Sequence, residues 1–219
     1  MLYLFIGLFI IVLVYLMITL KIKIKIKTFF KKGFEPTRTK FGVYCYTGKQ
    51  GTGKTYSLIE YLQHNKDMKI FSNIRKIEGI DFTYFSGLDN LLKLRSQKNC
   101  IIVYDEIFTA LTKSTRIDTD VLDFLSQMRK RNIIFLTTAQ EWLEINITLR
   151  RYVRYQIDCM MIRIPVIKDG LLIKRVRDGD NMRWDNDENE YVAPIIETTI
   201  SKVNKYVADS YDTYEQIKS

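Results

Sequence analysis

The octapeptide at residues 48–55, Gly-Lys-Gln-Gly-Thr-Gly-Lys-Thr, constrains this chain more than any other feature. The pattern predicts a buried strand just before it, at 41–47, and a helix just after it, at 54–64. Glycines let backbone N–H groups curve around phosphate oxygens, and the helix directs its positive end at them. The motif and its flanks therefore predict a nucleotide phosphate-binding loop, rather than an incidental glycine-rich turn.

Two side chains of this loop have roles that follow from their chemistry. The Lys54 ammonium is expected to reach the β- and γ-phosphates of ATP, and the Thr55 hydroxyl is expected to ligate Mg²⁺. The backbone that would cradle the phosphates belongs to Gly48, Lys49, Gln50, Gly51, Thr52 and Gly53. ATP and Mg²⁺ are therefore the predicted ligands of one site.

Two acids follow a second apolar run, CIIVY at residues 100–104. At the end of a buried strand, Asp105 is typical of a residue that holds a Mg²⁺ shell. Glu106 could polarise the water that attacks the γ-phosphate. A strand end capped by solvated acids is the alternative, but a position about fifty residues after a phosphate loop favours hydrolysis.

A third apolar strand, predicted at 133–138, ends in polar residues. Gln140 is the preferred candidate for sensing the γ-phosphate, and Thr137 and Thr138 are the alternatives. An ordinary loop residue is an equally open interpretation of Gln140.

Basic residues follow at 150–154. One of Arg150, Arg151 and Arg154 could enter a neighbouring subunit's site and neutralise charge in the transition state, and Arg116 and the basic run at 129–131 are other candidates. The competing interpretation is a solvated or DNA-facing basic patch.

The first twenty residues contain no charged side chain. A helix over 1–20 would be about 30 Å long, the thickness of a bilayer's hydrocarbon core. A cleaved signal peptide is disfavoured because the basic flank and the small-residue cleavage site are missing. We therefore predict a single transmembrane helix, with the ATPase domain on the lysine-rich, cytoplasmic side.

Most of the basic excess lies close to this apolar run. Of the net charge of +9, residues 1–40 carry +7 and the other 179 residues carry +2. The Lys/Ile alternation at 21–27 could form a strand, but a basic juxtamembrane segment on anionic headgroups is the simpler interpretation. The near-neutral remainder weakens a prediction of DNA binding without excluding it.

The remaining pattern predicts an α/β fold, with a mainly parallel sheet covered by helices on both faces. Further elements are a strand at 69–73, helices at 88–96 and 118–131, and a hairpin of strands 153–167 and 171–176 around 168–170. A chain that is 47% hydrophobic is not disordered, and three cysteines do not make a disulfide scaffold. The predicted divisions are a transmembrane helix at 1–20, a basic linker at 21–40, an ATPase domain at 41–177 and a polar extension at 178–219.

Three segments of the chain resemble additional-strand, catalytic-glutamate (ASCE) P-loop ATPases. They are GKQGTGKT, IIVYDE and FLSQMRKRNIIFLTTAQEWLEINITLRRYVRY. The pattern is similar to the viral and plasmid translocases related to FtsK and HerA, among them the Zot-like assembly ATPases of filamentous phages. The genome-packaging ATPases of tailless, membrane-containing viruses are the second such subfamily. The resemblance implies a P-loop NTPase fold and a homo-oligomeric, ring-forming motor that moves DNA or drives virion assembly with coat proteins at a membrane.

Other functional classes fit the sequence less well. A small-molecule or nucleotide kinase needs a mobile lid, and no segment suggests one. A GTPase is disfavoured because D-x-x-G does not occur in the chain. An ATP-binding membrane scaffold that acts as a switch would not require the polarising carboxylate of Glu106.

Overall fold

The computed structural model describes residues 2–19, 22–24, 40–107, 111, 117–164, 167–186 and 189–212. Their helices are α1 (Leu2–Thr19), α2 (Lys54–His64), α3 (Gly87–Lys93), α4 (Thr119–Ser126), α5 (Ile147–Arg150) and α6 (Lys205–Ala208). Their first strands are β1 (Ile22–Ile24), β2 (Gly42–Thr47), β3 (Lys69–Ser72), β4 (Thr83–Tyr84), β5 (Cys100–Tyr104) and β6 (Ile133–Ala139). The later strands are β7 (Val153–Ile164), β8 (Ile167–Asp178), β9 (Arg183–Asp185), β10 (Glu190–Val192) and β11 (Ile195–Lys202).

Among the described residues, nine strands form one sheet in the order β1-β11-β8-β7-β2-β6-β5-β3-β4. All neighbouring pairs are parallel except the two that β8 makes with β7 and β11. The prediction of an α/β fold with a mainly parallel sheet is therefore confirmed. Strand β6 lies between β2 and β5. The carboxyl ends of β2, β5 and β6 share one edge of the sheet, where ligands bind in open α/β folds.

Both faces of the central strands are buried. On β2, Tyr44 and Tyr46 pack into the core beneath α2, whereas Val43 and Cys45 pack into the core on the opposite face. The second core includes buried residues of α3, α4 and α5. Burial on both faces explains why the central strands are apolar throughout instead of alternating.

The predicted central elements are confirmed, with shifted ends. Asp118 caps α4 as predicted, since its carboxylate accepts a hydrogen bond from the Asp120 N–H at 3.1 Å. The helix then ends at Ser126 and not near 131. Strands β7 and β8 form the predicted hairpin, but Ile164 pairs with Ile167, so residues 168–170 lie within β8.

The structure corrects the prediction of a polar extension at 178–219. β11 lies in the main sheet and pairs with β8, from Ile195 opposite Arg177 to Lys202 opposite Leu171. Helix α6 packs against α2 through the buried Val207. The described part of this region is therefore integral to the domain, and a boundary at 177 would cut the sheet.

The N-terminal residues form α1 and β1. The described side chains of α1 are mostly exposed, and they include Phe9, Ile11 and Ile18. No helix in the described residues is long and apolar enough to cross a membrane, so the span at 1–20 stays a prediction. Ile22–Ile24 pairs in parallel with β11, so this part of the Lys/Ile alternation is a strand, the alternative to a purely juxtamembrane segment.

Candidate functional site

The octapeptide forms the connection between β2 and α2, as the sequence predicts. Strand β2 ends directly before the motif, and α2 begins at its seventh residue. Gly48, Gly51 and Gly53 have φ angles of +142°, +77° and +89°, a region that favours glycine because it has no Cβ. The loop therefore lies at the carboxyl edge of the parallel strands, with the amino end of α2 behind it.

The other residues of the loop shape its main chain. The side chains of Lys49 and Gln50 are exposed. Thr52 donates from its hydroxyl to the Lys49 carbonyl oxygen at 2.7 Å and from its N–H to the same oxygen at 3.3 Å. These two hydrogen bonds close the turn between Lys49 and Thr52.

The Lys54 ammonium occupies the centre of this loop. Its Nζ donates to the carbonyl oxygen of Gly48 at 2.6 Å and to that of Lys49 at 3.0 Å. Burial lowers the pKa of Lys54, although the nearby carboxylates of Asp105 and Glu106 act in the opposite direction. The cation is therefore already positioned where phosphate oxygens would be bound.

Thr55 and Asp105 meet at the strand edge beside the loop. The Thr55 hydroxyl donates to Oδ2 of Asp105 at 3.2 Å, and the Thr138 hydroxyl donates to Oδ1. Asp105 is almost fully buried, and burial raises its pKa, while hydrogen bonds from Thr138 and Thr55 and the charge of Lys54 lower it. A hydroxyl and a carboxylate are the hard oxygen donors that Mg²⁺ prefers, so this pair fits the predicted metal.

Glu106 follows in an unusual backbone conformation. Its φ is +60°, in the left-handed region that non-glycine residues rarely adopt. Its N–H donates to the Thr138 hydroxyl at 2.9 Å. Burial and the Asp105 carboxylate raise the pKa of Glu106, and the Lys54 ammonium lowers it. The carboxylate is half-buried, in the electrostatic field of both charged neighbours.

Thr138, an alternative to Gln140 in the sequence prediction, is the β6 residue that contacts the acidic pair. The Gln140 side chain is exposed, and its carbonyl oxygen accepts a hydrogen bond from the Gly48 N–H at 3.2 Å. Thr137 is fully buried. A γ-phosphate-sensing role for Gln140 stays a prediction, whereas Thr138 connects Asp105 with the main chain of Glu106.

Asn73 is a further residue of this site, and the sequence pattern predicts it only as the last residue of a strand. Its side-chain Oδ1 accepts from the Asp105 N–H at 2.7 Å, and its Nδ2 donates to the Asp105 carbonyl oxygen at 3.1 Å. A polar residue at the end of a predicted strand was the available signal. The sequence does not say that β3 is the neighbour of β5, so the contact could not be inferred.

Two of the candidate arginines, Arg150 and Arg151, have different environments. Arg150 is only 8% exposed, and its Nε donates to the Ile145 carbonyl oxygen at 3.0 Å. Its guanidinium also lies 5.9 Å from the centre of the Trp142 ring. Arg150 is therefore bound to the main chain of its own subunit in this structure, and its role in a neighbouring site stays a prediction. Arg151 is exposed, and its role stays a prediction.

Replacing Gly48 by alanine is expected to weaken ATP binding about tenfold to a hundredfold, because strain of about 1–3 kcal/mol would distort the loop. A Cβ at Gly48 would lie 2.6 Å from the Thr52 hydroxyl and 2.7 Å from the Cys159 carbonyl oxygen. Gly87→Ala is the matched control, since Gly87 lies outside the loop, its φ of +76° is also positive, and its Cβ would meet nothing within 4 Å. Calorimetric titration with ATP measures both; equal affinities for the two variants would contradict the prediction.

Comparison with solved structures agrees with this fold. The chain is similar to the N-terminal domain of zonular occludens toxin from Neisseria meningitidis, with a TM-score of 0.53 and 17% identity over 78% of this chain and 98% of that one. It also matches the genome packaging NTPase B204 from Sulfolobus turreted icosahedral virus 2, with a TM-score of 0.46 and 10% identity over 69% of this chain and 96% of that one. No family model and no curated protein matches the sequence. The likeness to the toxin domain confirms the fold that the resemblance to Zot-like ATPases implied.

Proposed function

We propose that the chain is a membrane-attached, Mg²⁺-dependent ATPase, whose hydrolysis drives phage or viral DNA translocation, virion assembly or extrusion. The observation that carries the ATPase part is the meeting of four side chains at one edge of the sheet. Lys54 lies inside the loop, Thr55 and Asp105 are 3.2 Å apart, and Glu106 directly follows Asp105. These are the groups that phosphate binding, metal binding and water activation require.

Binding would use the loop and its lysine. Main-chain N–H groups of residues 48–55 and the Lys54 ammonium would hold the β- and γ-phosphates. The Thr55 hydroxyl and the Asp105 carboxylate would hold Mg²⁺, which when bound neutralises phosphate charge. Two of the Lys54 hydrogen bonds in the structure go to carbonyl oxygens of its own loop, so phosphate oxygens would replace existing partners.

Hydrolysis would depend on Glu106. A water molecule attacks the γ-phosphorus in line, and the Glu106 carboxylate accepts its proton. The bond between the γ-phosphorus and the bridging oxygen breaks, which releases ADP and inorganic phosphate. The positive charge of Lys54 would stabilise the phosphoryl oxygens as negative charge develops on them.

A ring of identical subunits is part of the proposal, with Arg151 completing the neighbouring site. A mixture of Arg151→Ala and Glu106→Gln proteins should turn over ATP faster than the mean of the two separate proteins. The reason is that a subunit with intact Glu106 would receive Arg151 from its neighbour. Steady-state turnover of the mixture measures this effect, and a value equal to the mean would contradict a role in trans.

Membrane attachment is proposed from the sequence of the N-terminus. Residues 1–20 are uncharged, and six lysines follow within 21–32. The described α1 side chains are exposed and mainly apolar. Flotation of the full chain with vesicles that contain anionic lipid tests this part, and recovery in the soluble fraction would contradict it.

The cargo is proposed from the sequence resemblance to Zot-like ATPases, with the genome-packaging ATPases of tailless viruses as the alternative subfamily. The experiment is ATP turnover by the full chain in detergent micelles, with and without single- and double-stranded DNA, over a range of protein concentrations. The full chain is needed because β1 is part of the sheet. We expect DNA to raise turnover, the stimulation to weaken with salt, and turnover to increase more than linearly with protein.

Each outcome of this experiment separates the functional classes. Turnover without a DNA effect would move the proposal to an assembly ATPase that acts on coat proteins. ATP binding without turnover would favour the membrane scaffold that uses ATP as a switch. Absence of ATP binding would overturn the proposed function altogether.

A further inference from the structure

The backbone at Asp105 and Glu106 leaves the regular sheet and has to be held by other groups. Strand β5 ends at Tyr104, and Glu106 adopts a φ of +60°. Such a conformation persists when the surrounding structure holds it in place. Since the proposed role of Glu106 requires its carboxylate to face the attacking water, whatever fixes this backbone also sets the position of the proposed base.

On one side of β5, Asn73 fixes the main chain of Asp105. The parallel pairing of β3 and β5 ends with Ser72 opposite Val103, and the Asn73 N–H donates to the Val103 carbonyl oxygen at 3.2 Å. Beyond this point the hydrogen bonds to the chain that follows β5 come from the Asn73 side chain instead of from the main chain. Its amide binds both the N–H and the carbonyl of Asp105, at 2.7 and 3.1 Å. Two contacts from one planar amide fix the orientation of the backbone as well as its position.

On the other side of β5, Thr138 of β6 binds the Glu106 N–H at 2.9 Å. The dipeptide Asp105-Glu106 is therefore held between the side chain of Asn73, which directly follows β3, and that of Thr138 on β6. Their tasks differ, because Thr138 also donates to the Asp105 carboxylate, whereas the described bonds of Asn73 to Asp105 go to its main chain only. Asn73 can therefore be varied without removing a hydrogen bond to the carboxylate.

We propose that Asn73 is a positioning residue for ATP hydrolysis, which holds the Asp105-Glu106 backbone so that the Glu106 carboxylate faces the attacking water. This inference rests on the proposed function. A purely structural role, the pairing of main-chain groups that would otherwise lack partners, is the competing explanation. The two roles predict different effects of replacing Asn73. Loss of a positioning residue slows the chemical step, whereas loss of a structural residue weakens nucleotide binding and stability.

The test compares Asn73→Ala with Asn90→Ala in the full chain in detergent micelles. Asn90 of α3 is a matched control, since its Nδ2 donates to the Ser86 carbonyl oxygen at 2.8 Å. Replacing Asn90 by alanine therefore also removes a hydrogen bond from a side-chain amide to a main-chain carbonyl. Asn73→Ser is a second variant, whose short side chain cannot span both main-chain groups of Asp105 and which fills part of the space. For each protein, kcat, the ATP dissociation constant and the composition of the bound nucleotide after quenching are measured.

We expect Asn73→Ala and Asn73→Ser to lower kcat about tenfold to a hundredfold, as a misplacement of about 1 Å does. ATP affinity should stay within about threefold of the wild-type value, and the quenched nucleotide should be mainly ATP. Adding Asn73→Ala to Glu106→Gln should not lower kcat any further, because both changes act on the same step. Asn90→Ala should match the wild type.

Several results would overturn the inference. These are wild-type kcat in either foldable Asn73 variant, a loss of ATP affinity that accounts for the lower turnover, or a further loss of about tenfold when Asn73→Ala is added to Glu106→Gln. If Asn73→Ala does not fold, the same criteria apply to Asn73→Ser. Wild-type protein without ATPase activity would overturn the proposed function itself, whereas active wild type with an active Asn73 variant overturns only this inference.

Discussion

Glu106→Gln is expected to lower ATP turnover by about a thousandfold, within the range that a general base contributes. The amide has the shape of the carboxylate but cannot accept the proton of the attacking water. The hydrogen bond from the Glu106 N–H to the Thr138 hydroxyl should persist, because Glu106 contributes only its main chain to it. ATP binding should remain, since Lys54 and the loop are unchanged. Turnover assays and calorimetric titration of the full chain measure the two quantities separately.

Glu141→Gln is the matched control for the loss of one negative charge near this edge of the sheet. Glu141 is exposed and lies two residues beyond β6. Its replacement should leave turnover within about twofold of the wild type, as expected for a surface change. If Glu106→Gln also retained full turnover, Glu106 would be removed from the mechanism and the ATP-switch class would gain support.

The phosphate loop and the acidic pair could be predicted because their signals are local. A loop with glycines at fixed spacing needs positive φ angles, and Gly48, Gly51 and Gly53 have them. Apolar runs of strand length predict strands buried on both faces, and β2, β5 and β6 are such strands. In these segments, the local chemistry and the tertiary environment favour the same structure.

The support around the acidic pair could not be predicted, because it depends on strand order. Asn73 and Thr138 are 65 residues apart in sequence, and they approach Asp105 only because β3 and β6 lie on either side of β5. Arg150 is a second residue whose contacts the sequence does not predict. A basic pair in a sequence says nothing about which guanidinium binds its own chain, and Arg150 binds the Ile145 carbonyl.

The composition of the C-terminal region does not predict its place in the fold. A polar stretch at 178–190 suggested a peripheral extension, yet β11 follows it and joins the sheet. The partners of β11 are β8 and β1, which lie on either side of it and far apart in sequence. Pairing of this kind depends on the tertiary structure, so a window of composition cannot reveal it.

A buried ion pair connects the helix of the phosphate loop to this part of the sheet. Lys174 on β8 donates from Nζ to Oε2 of Glu60 on α2 at 2.6 Å, and the two side chains are only 6% and 9% exposed. Tyr56, one turn earlier on α2, donates to Oε1 of Glu60 at 3.5 Å and accepts from the Asn204 N–H at 2.8 Å. The network therefore joins α2, β8 and the start of α6.

Lys174→Met is expected to lower the free energy of unfolding by about 3–5 kcal/mol, because it leaves the Glu60 carboxylate buried without its cation. The double variant Lys174→Met/Glu60→Leu should lose much less, since both desolvated charges are then removed. Lys76→Met is the matched control, because it breaks the exposed pair with Glu78, which should contribute less than about 1 kcal/mol. Urea unfolding of the full chain in detergent micelles measures all three.

The comparison between the single and double variants identifies the physical cause. If the free energy of unfolding of Lys174→Met stayed within about 1 kcal/mol of the wild-type value, the buried pair would contribute no more than a surface pair. If the double variant were as unstable as the single one, lost packing between α2 and β8 would explain the effect better than an unpaired charge. A large loss in the single variant and recovery in the double would show that Glu60 depends on Lys174. The helix that presents Lys54 and Thr55 would then be held on the sheet by an ion pair. The local sequence around Glu60 does not reveal this pair, and neither does the local sequence around Lys174.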